Sequence, residues 1–242
     1  MQYESMNEIL SPSVIVGETR SFTADIQEKG YLRHVNYKFD FEELQIQDKP
    51  IIFAANHFVR QRKDRRTINL MNIIFNTRES MLVAGIISIG GEKIGRRTIS
   101  WVIEEELEVK VGEAAKQKSF IKTYDHIPMS KYKHEKKTLG GGSETYTEIA
   151  KRLTRGKNIA VFTEGDPGQK MRGKSESLAA LLTVLRKRKK IDFQVIPVSI
   201  FYEDRTFKTI FSKPVQSGDN PRQDAADVIL AIASKLPHPL RP

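Results

Sequence analysis

The chain has 242 residues, no cysteine, and 40 Lys and Arg against 30 Asp and Glu, a formal net charge of +10. Disulfides, thiolate metal sites and cysteine nucleophiles are therefore excluded, and no apolar run approaches the ~18–20 residues that span a bilayer. The charge predicts attraction to anionic partners, whether phospholipid headgroups, nucleic acid, acidic carrier proteins or phosphorylated small molecules, without choosing among them.

The opening MQYESMNEIL lacks a basic segment followed by an apolar one, so no signal peptide is expected. With the missing thiols this points to a cytoplasmic protein whose membrane contact would be peripheral. Residues 1–34 read as an irregular approach in which SVIVG (Ser13–Gly17) is a candidate strand. YKFDF (Tyr37–Phe41) alternates with period two and reads as a second strand. Asp48-Lys49-Pro50 is a turn into the apolar strand Ile51–Ala55, which stops at Asn56-His57. A basic segment follows, with Arg60, Arg62, Lys63, Arg65 and Arg66.

TINLMNIIFNT then reads as a helix, with Ile68, Met71 and Ile74 on one face, and MLVAGIISI (Met81–Ile89) as a buried strand. RRTISWVIEEELEV (Arg96–Val109) has helical spacing, with its acidic triplet Glu104-Glu105-Glu106 toward solvent and Trp101 in packing. KSFIKTYDHIPMSKYK reads as a strand, then a loop, with Ile127-Pro128-Met129 extended; HEKKTLGGGS is a charged, Gly-rich loop. A helix capped by Ser143 runs to Arg155, with Gly156 as its stop. NIAVFTEG (Asn158–Gly165) is a strand ending in a polar turn, and Ser175 or Ser177 opens the helix ESLAALLTVLRKRKK. FQVIPVSIFY (Phe193–Tyr202) is an apolar strand, and TFKTIF (Thr206–Phe211) its neighbour. Asn220 caps and Pro221 starts a last helix to Lys235, and the tail LPHPLRP is expected to fray.

Strands and helices alternate without a repeat or a linker. The expected fold is α/β: a single domain, residues 1–242, with a central, mostly buried sheet flanked by helices. Its core would span 35–215, and 216–242 would form the C-terminal helix.

A strand ending on Asn56-His57 puts an imidazole where open α/β sheets bind ligands, at the carboxyl edge. Histidine can exchange a proton near neutral pH. His34, His126, His134 and His238 have no metal-ligand spacing, so no metal is expected and surface or turn positions are the default.

Four blocks recur at strand ends or inside a buried strand: Asn56-His57 with Asp64, Ile127–Lys131, Phe162–Gly165, and Val195–Ile200. In this order they resemble the glycerolipid acyltransferase family, the glycerol-3-phosphate and 1-acylglycerol-3-phosphate acyltransferases, over roughly residues 35–215. That family's pattern is NH-x4-D, a short apolar block with arginine, FPEGTR and a V-x-P-V strand. The resemblance implies transfer of a fatty acyl group from an acyl-CoA or acyl-carrier-protein thioester to a hydroxyl of a glycerophosphate or lysophospholipid. Those thioesters are substrates, and no cofactor is implied. His57 would be the general base and Asp64 its orienting carboxylate. Asn56, Lys131, Glu164, Gly165, Lys170 and Arg172 would bind substrate, Lys131 standing where the family has arginine. An anionic membrane surface would be the partner, and nucleic acid would not.

The chain departs from that pattern. Six residues separate His57 from Asp64 where the family has four. On an unbroken helix this step carries the carboxylate ~10 Å along the axis, so a bulge is required for Asp64 to reach the ring. Gln61, four residues after His57, could hydrogen-bond the ring instead, without a charge. The third block reads FTEGDPG, with Thr163 for proline and Asp166-Pro167 for Thr-Arg.

Two other functions compete. Gly168–Ser175 is a literal G-x4-G-K-S, the pattern of a P-loop nucleotide hydrolase or kinase, though its variable positions are bulky and basic. The net charge and the run Arg186–Lys190 also suit a non-catalytic protein that binds anionic membrane or nucleic acid.

Overall fold

The computed structural model describes residues 18–58, 70–96, 98–104, 118–129, 140–163, 171, 173, 175–215 and 218–242. Its strands are β1 (Asn36–Phe41), β2 (Ile51–Ala55), β3 (Ile99–Glu104), β4 (Ile127–Met129), β5 (Asn158–Phe162), β6 (Gln194–Glu203) and β7 (Thr206–Phe211). They form one sheet in the order β1-β7-β6-β2-β5-β3-β4. Every adjacent pair is parallel except β6 and β7. Those two are joined by the tight turn Asp204-Arg205, with both residues at positive φ (50° and 57°), the backbone twist that a two-residue hairpin needs.

The helices are α1 (Phe22–Glu28), α2 (Leu70–Lys93), α3 (Gly140–Thr154), α4 (Glu176–Thr183), extended by a π-helical turn Val184–Arg188, and α5 (Pro221–Lys235). They divide between the two faces. The glycines of α2 lie against Phe39, Phe53, Ile99 and Phe211, and α1 covers α2 through Ile26. On the opposite face, Ser199 donates to the Ile232 carbonyl of α5, and Arg152 of α3 donates to Ser100. α4 packs on α5. The expected α/β architecture, a buried sheet between helical layers, is the one observed.

Pro197 sits inside central strand β6 without breaking it. Its carbonyl accepts from Ser212, just beyond the end of β7. Its missing N–H would point to the same side, one residue past the last β6–β7 pair, Val198 with Phe211, so the regular ladder loses no bond to it.

Three sequence expectations fail between residues 70 and 123. Met81–Ile89 is not a strand; it continues the preceding helix, and α2 runs unbroken from Leu70 to Lys93. Every residue from Met81 to Gly91 is buried, because the helix is clamped between the sheet and α1. A helix buried all round loses the polar stripe that would have marked it. Ile99–Glu104 is a strand, not a helix; Ile99, Trp101, Val102 and Ile103 are β-branched or aromatic, and that composition prevails over the apparent helical spacing. The acidic triplet therefore begins on the last residue of a strand. Residues 118–123 are helical, not extended.

Smaller differences occur at element ends. α3 starts at Gly140, three residues before the expected cap. The C-terminal tail is seated rather than frayed: His238–Leu240 form a 3-10 turn, and the Arg241 guanidinium donates to the Ser234 and Leu236 carbonyls. α5 and its Asn220 cap are as expected. Ser13–Gly17 lies outside the described residues.

Gly90 allows α2 to lie directly on the sheet. A Cβ there would stand 2.4 Å from the Phe211 ring and 2.9 Å from Phe39. Gly90→Ala gains about 1 kcal/mol of helix propensity but forces overpacking that typically costs about 1–3 kcal/mol. The phenylalanine rings are hemmed in by Phe41 and Phe53, so a net loss of stability, read as a fall in Tm, is expected.

Candidate active site

β2 and β5 are neighbours whose outgoing connections leave in opposite directions. The chain leaves β2 through α2 toward β3, and leaves β5 through α4 toward β6 on the other face. Such a switch point opens a crevice at the carboxyl ends of the strands. His57 stands there.

Its position is fixed from both sides in sequence. Asn56, 3% exposed, closes a two-way clip onto β6: its amide NH2 donates to the Ile200 carbonyl at 2.9 Å, and its oxygen accepts from the Ile200 N–H at 2.8 Å. Phe58 is buried and meets Phe207 of β7 edge-on. The chain is thus pinned one residue before and one residue after His57, whose side chain is half-buried. Asn56 was expected to bind substrate; both ends of its amide are committed to the backbone of β6. Asn56→Ala leaves two buried backbone groups without these partners, at about 1–3 kcal/mol each, and a loss of about 2–6 kcal/mol in denaturant unfolding is expected.

Thr163 pins the neighbouring strand end. Its N–H donates to the Ala55 carbonyl at 2.9 Å, and its hydroxyl approaches the same oxygen at 3.2 Å. Proline, the residue of the resembled pattern, has no N–H to make the first of these bonds. Thr163 therefore ties the end of β5 to the end of β2.

The imidazole is held by an aromatic stack. It lies parallel to the Phe162 ring, with centroids 4.0 Å apart and an interplanar angle of 6°. Trp101 packs on Phe162 at 4.8 Å and donates its indole N–H to Ser88 of α2 at 2.9 Å. Trp101 is thus packing, as expected, but packing that supports the histidine. His57 Nδ1 is buried. Nε2 lies 2.8 Å from the hydroxyl of Ser80, on α2.

Ser80 is the site residue that sequence reasoning missed. Read as a helix, the segment places Ser80, Ala84 and Ser88 at i, i+4 and i+8 on one face. That signal was hidden because the apolar run beginning at Met81 read as a strand.

Asp64, Gln61, Lys131, Glu164, Gly165, Lys170 and Arg172 lie outside the described residues, as does the bulge expected between His57 and Asp64. Lys131 follows by two residues the end of β4, the sheet's outer strand. That strand lies three spacings, about 14 Å, from β2.

His126 departs from expectation. Far from the surface, it is 2% exposed, and its Nδ1 accepts from the backbone N–H of Trp101 at 3.3 Å. Burial, aided by the nearby Arg152 guanidinium and opposed by Asp125, lowers its pKa to about 3. His34 and His238 are exposed, as expected, and His134 lies outside the described residues.

The features behind the competing functions are also located. In the G-x4-G-K-S segment, the Met171 N–H donates to Leu240, and the space beside Gly173 is filled by Pro242. The C-terminal turn thus occupies part of the backbone that a phosphate cradle would need. In the basic run, Arg186 turns inward to pair with Asp224 of α5, and Lys187–Lys190 are exposed. That run precedes β6, whose first residue pairs with the start of β2. It therefore lies at the opposite end of the sheet from His57. Among the described residues no helix is long and apolar enough to cross a membrane.

No family model matches the chain, and no curated protein does. Among solved structures, the chain is similar to the 1-acyl-sn-glycerophosphate (LPA) acyltransferase PlsC from Thermotoga maritima. The TM-score is 0.48 at 18% identity, covering 86% of this chain and 76% of that one. At that level the likeness carries no functional argument.

Proposed function

We propose that the protein is an acyltransferase that moves a fatty acyl group from a CoA or carrier-protein thioester to a hydroxyl of a phosphorylated glycerol or lysophospholipid. The observation that carries this reading is His57 at the switch point of the sheet, with Nε2 at hydrogen-bond distance from the hydroxyl of Ser80. That is the distance at which a general base takes the proton of an attacking alcohol. The order of the four sequence blocks adds the reaction class by resemblance.

In this reading His57 removes the hydroxyl proton as the oxygen attacks the thioester carbon, then returns a proton to the departing sulfur. Asp64 orients the ring and balances the imidazolium charge. Glu164 and Gly165, which follow Thr163 in the sequence, position the acceptor. Lys131, Lys170 and Arg172 neutralise its phosphate. Membrane attraction is assigned to the basic residues Arg60, Arg62, Lys63, Arg65 and Arg66, which follow His57 in the sequence, because the run Arg186–Lys190 lies at the end of the sheet opposite His57.

The test is to incubate the protein with an acyl thioester and a panel of acceptors and measure thiol release and acylated product. Turnover that requires a phosphorylated acceptor is expected. Tight ATP or GTP binding lost in Lys174→Ala, with no thioester turnover, would instead establish the P-loop function. Salt-sensitive binding to anionic vesicles or nucleic acid without turnover would establish a binding protein.

A further inference from the structure

The hydroxyl nearest His57 belongs to the chain itself. Nδ1 is buried, so Nε2 is the nitrogen that a substrate can reach, and the Ser80 oxygen already stands 2.8 Å from it. A basic ring nitrogen offers one lone pair, in the ring plane, and so takes one hydrogen-bond donor at a time. The stack on Phe162 fixes that plane, so the ring cannot turn its lone pair elsewhere without losing the stack. Whatever gives a proton to His57 must therefore stand where the Ser80 hydroxyl stands, about 2.6–3.2 Å from Nε2. Ser80 can make way. The alternative partner for a serine inside a helix is the carbonyl four residues back, and Ser88, on the same face of α2, makes that bond to Ala84 at 2.8 Å.

We propose that Ser80 is a specificity-determining residue: its hydroxyl holds the acceptor's place at Nε2 and thereby selects the acceptor over water. The proposal rests on the acyltransferase reading and keeps the direct attack of the acceptor on the thioester. The competing reaction is hydrolysis. In it a water gives a proton to Nε2 while its oxygen bonds to the thioester carbon. The carbon–sulfur bond breaks, the sulfur takes the proton from His57, and fatty acid and thiol leave. Either attacking oxygen must first displace Ser80. A phosphorylated acceptor does so with the binding energy of its remote groups, and water has no remote groups to bind. The Ser80 hydroxyl thus slows hydrolysis more than transfer, by about threefold to tenfold, the worth of one net hydrogen bond.

The test follows thiol release and acylated product together, with a long-chain acyl-CoA and either glycerol 3-phosphate or a lysophosphatidate. Thiol in excess of product measures hydrolysis. Ser80→Ala should raise the ratio of hydrolysis to transfer about threefold to tenfold, whereas a merely structural role would lower both reactions together. Alanine suits a helix interior, and matching thermal unfolding will show that the fold is kept. Ser80→Thr and Ser80→Val, which differ only in a hydroxyl against a methyl, decide the point if alanine does not fold: threonine should keep the wild-type ratio and valine should raise it. Adding His57→Phe to Ser80→Ala should abolish the extra hydrolysis. The same ratio in the threonine and valine variants, or in a folded Ser80→Ala and wild type, overturns the proposal and leaves the acyltransferase reading standing. So does extra hydrolysis that persists without His57. If wild type releases no thiol with any donor or acceptor, the acyltransferase reading fails, and the role of Ser80 with it.

Discussion

Replacing His57 with phenylalanine is expected to reduce thioester turnover by about 10²–10⁴-fold, the usual contribution of a positioned general base. In barrier terms that is about 3–5 kcal/mol. The same change should leave stability nearly untouched. His57 lies flat on Phe162 at 4.0 Å, and a phenylalanine keeps a ring in that stack, itself worth about 0.5–1.5 kcal/mol. What it removes is the nitrogen facing Ser80. His57→Ala is the weaker experiment, because it removes stack and base together. Turnover by His57→Phe within about threefold of wild type, with unchanged unfolding, would eliminate His57 as the base; the factor is far below the range for general-base loss.

This separation of packing from chemistry follows from how the site is assembled. Asn56, Phe58 and Thr163 set the ends of β2 and β5, and Phe162 and Trp101 set the plane of the ring. None of the five needs to touch substrate. The strand Ile51–Ala55 and its terminal His57 were legible in the sequence because a uniformly apolar run ending in polar residues is what a parallel strand buried on both faces looks like. β6 and β7 were legible for similar reasons, the second through its strict alternation of half-buried and buried residues. The partner of His57 was not legible. Ser80 sits at the edge of a run that carries no helical stripe, because α2 is covered on every side from Met81 to Gly91. Asn56 shows the converse. Its type and place suggested ligand binding, yet the register of β2 on β6 aligns its amide with the Ile200 backbone. Pairings across 144 positions leave no trace in local spacing.

His126 should make the fold sensitive to mild acid. Buried neutral, its pKa is lowered from the ordinary 6.5 to about 3, chiefly by burial, then by Arg152, with Asp125 opposing. The unfolded chain therefore binds a proton at this residue that the folded chain refuses. The associated stability is fully present above about pH 6.5 and falls as pH drops toward 3, by up to about 1.4 kcal/mol per pH unit. Between pH 6.5 and 4.5 that amounts to about 2–3 kcal/mol, measurable before most carboxylates titrate. Protonation also destroys the acceptor at Nδ1 that holds the backbone of Trp101, and the indole of Trp101 supports Phe162 beneath the His57 ring. The effect should be visible in the fluorescence of Trp101, the chain's single tryptophan. His126→Asn keeps an acceptor near the Nδ1 position but cannot take up a proton in this range. It should be less stable at neutral pH, because the ring's contacts with Phe22 and Phe120 are lost. Its stability should nonetheless depend less on pH between 6.5 and 4.5, by about one proton. A void alone would lower stability equally at every pH. Parallel pH curves for His126→Asn and wild type would therefore show that this histidine is not what acid acts on.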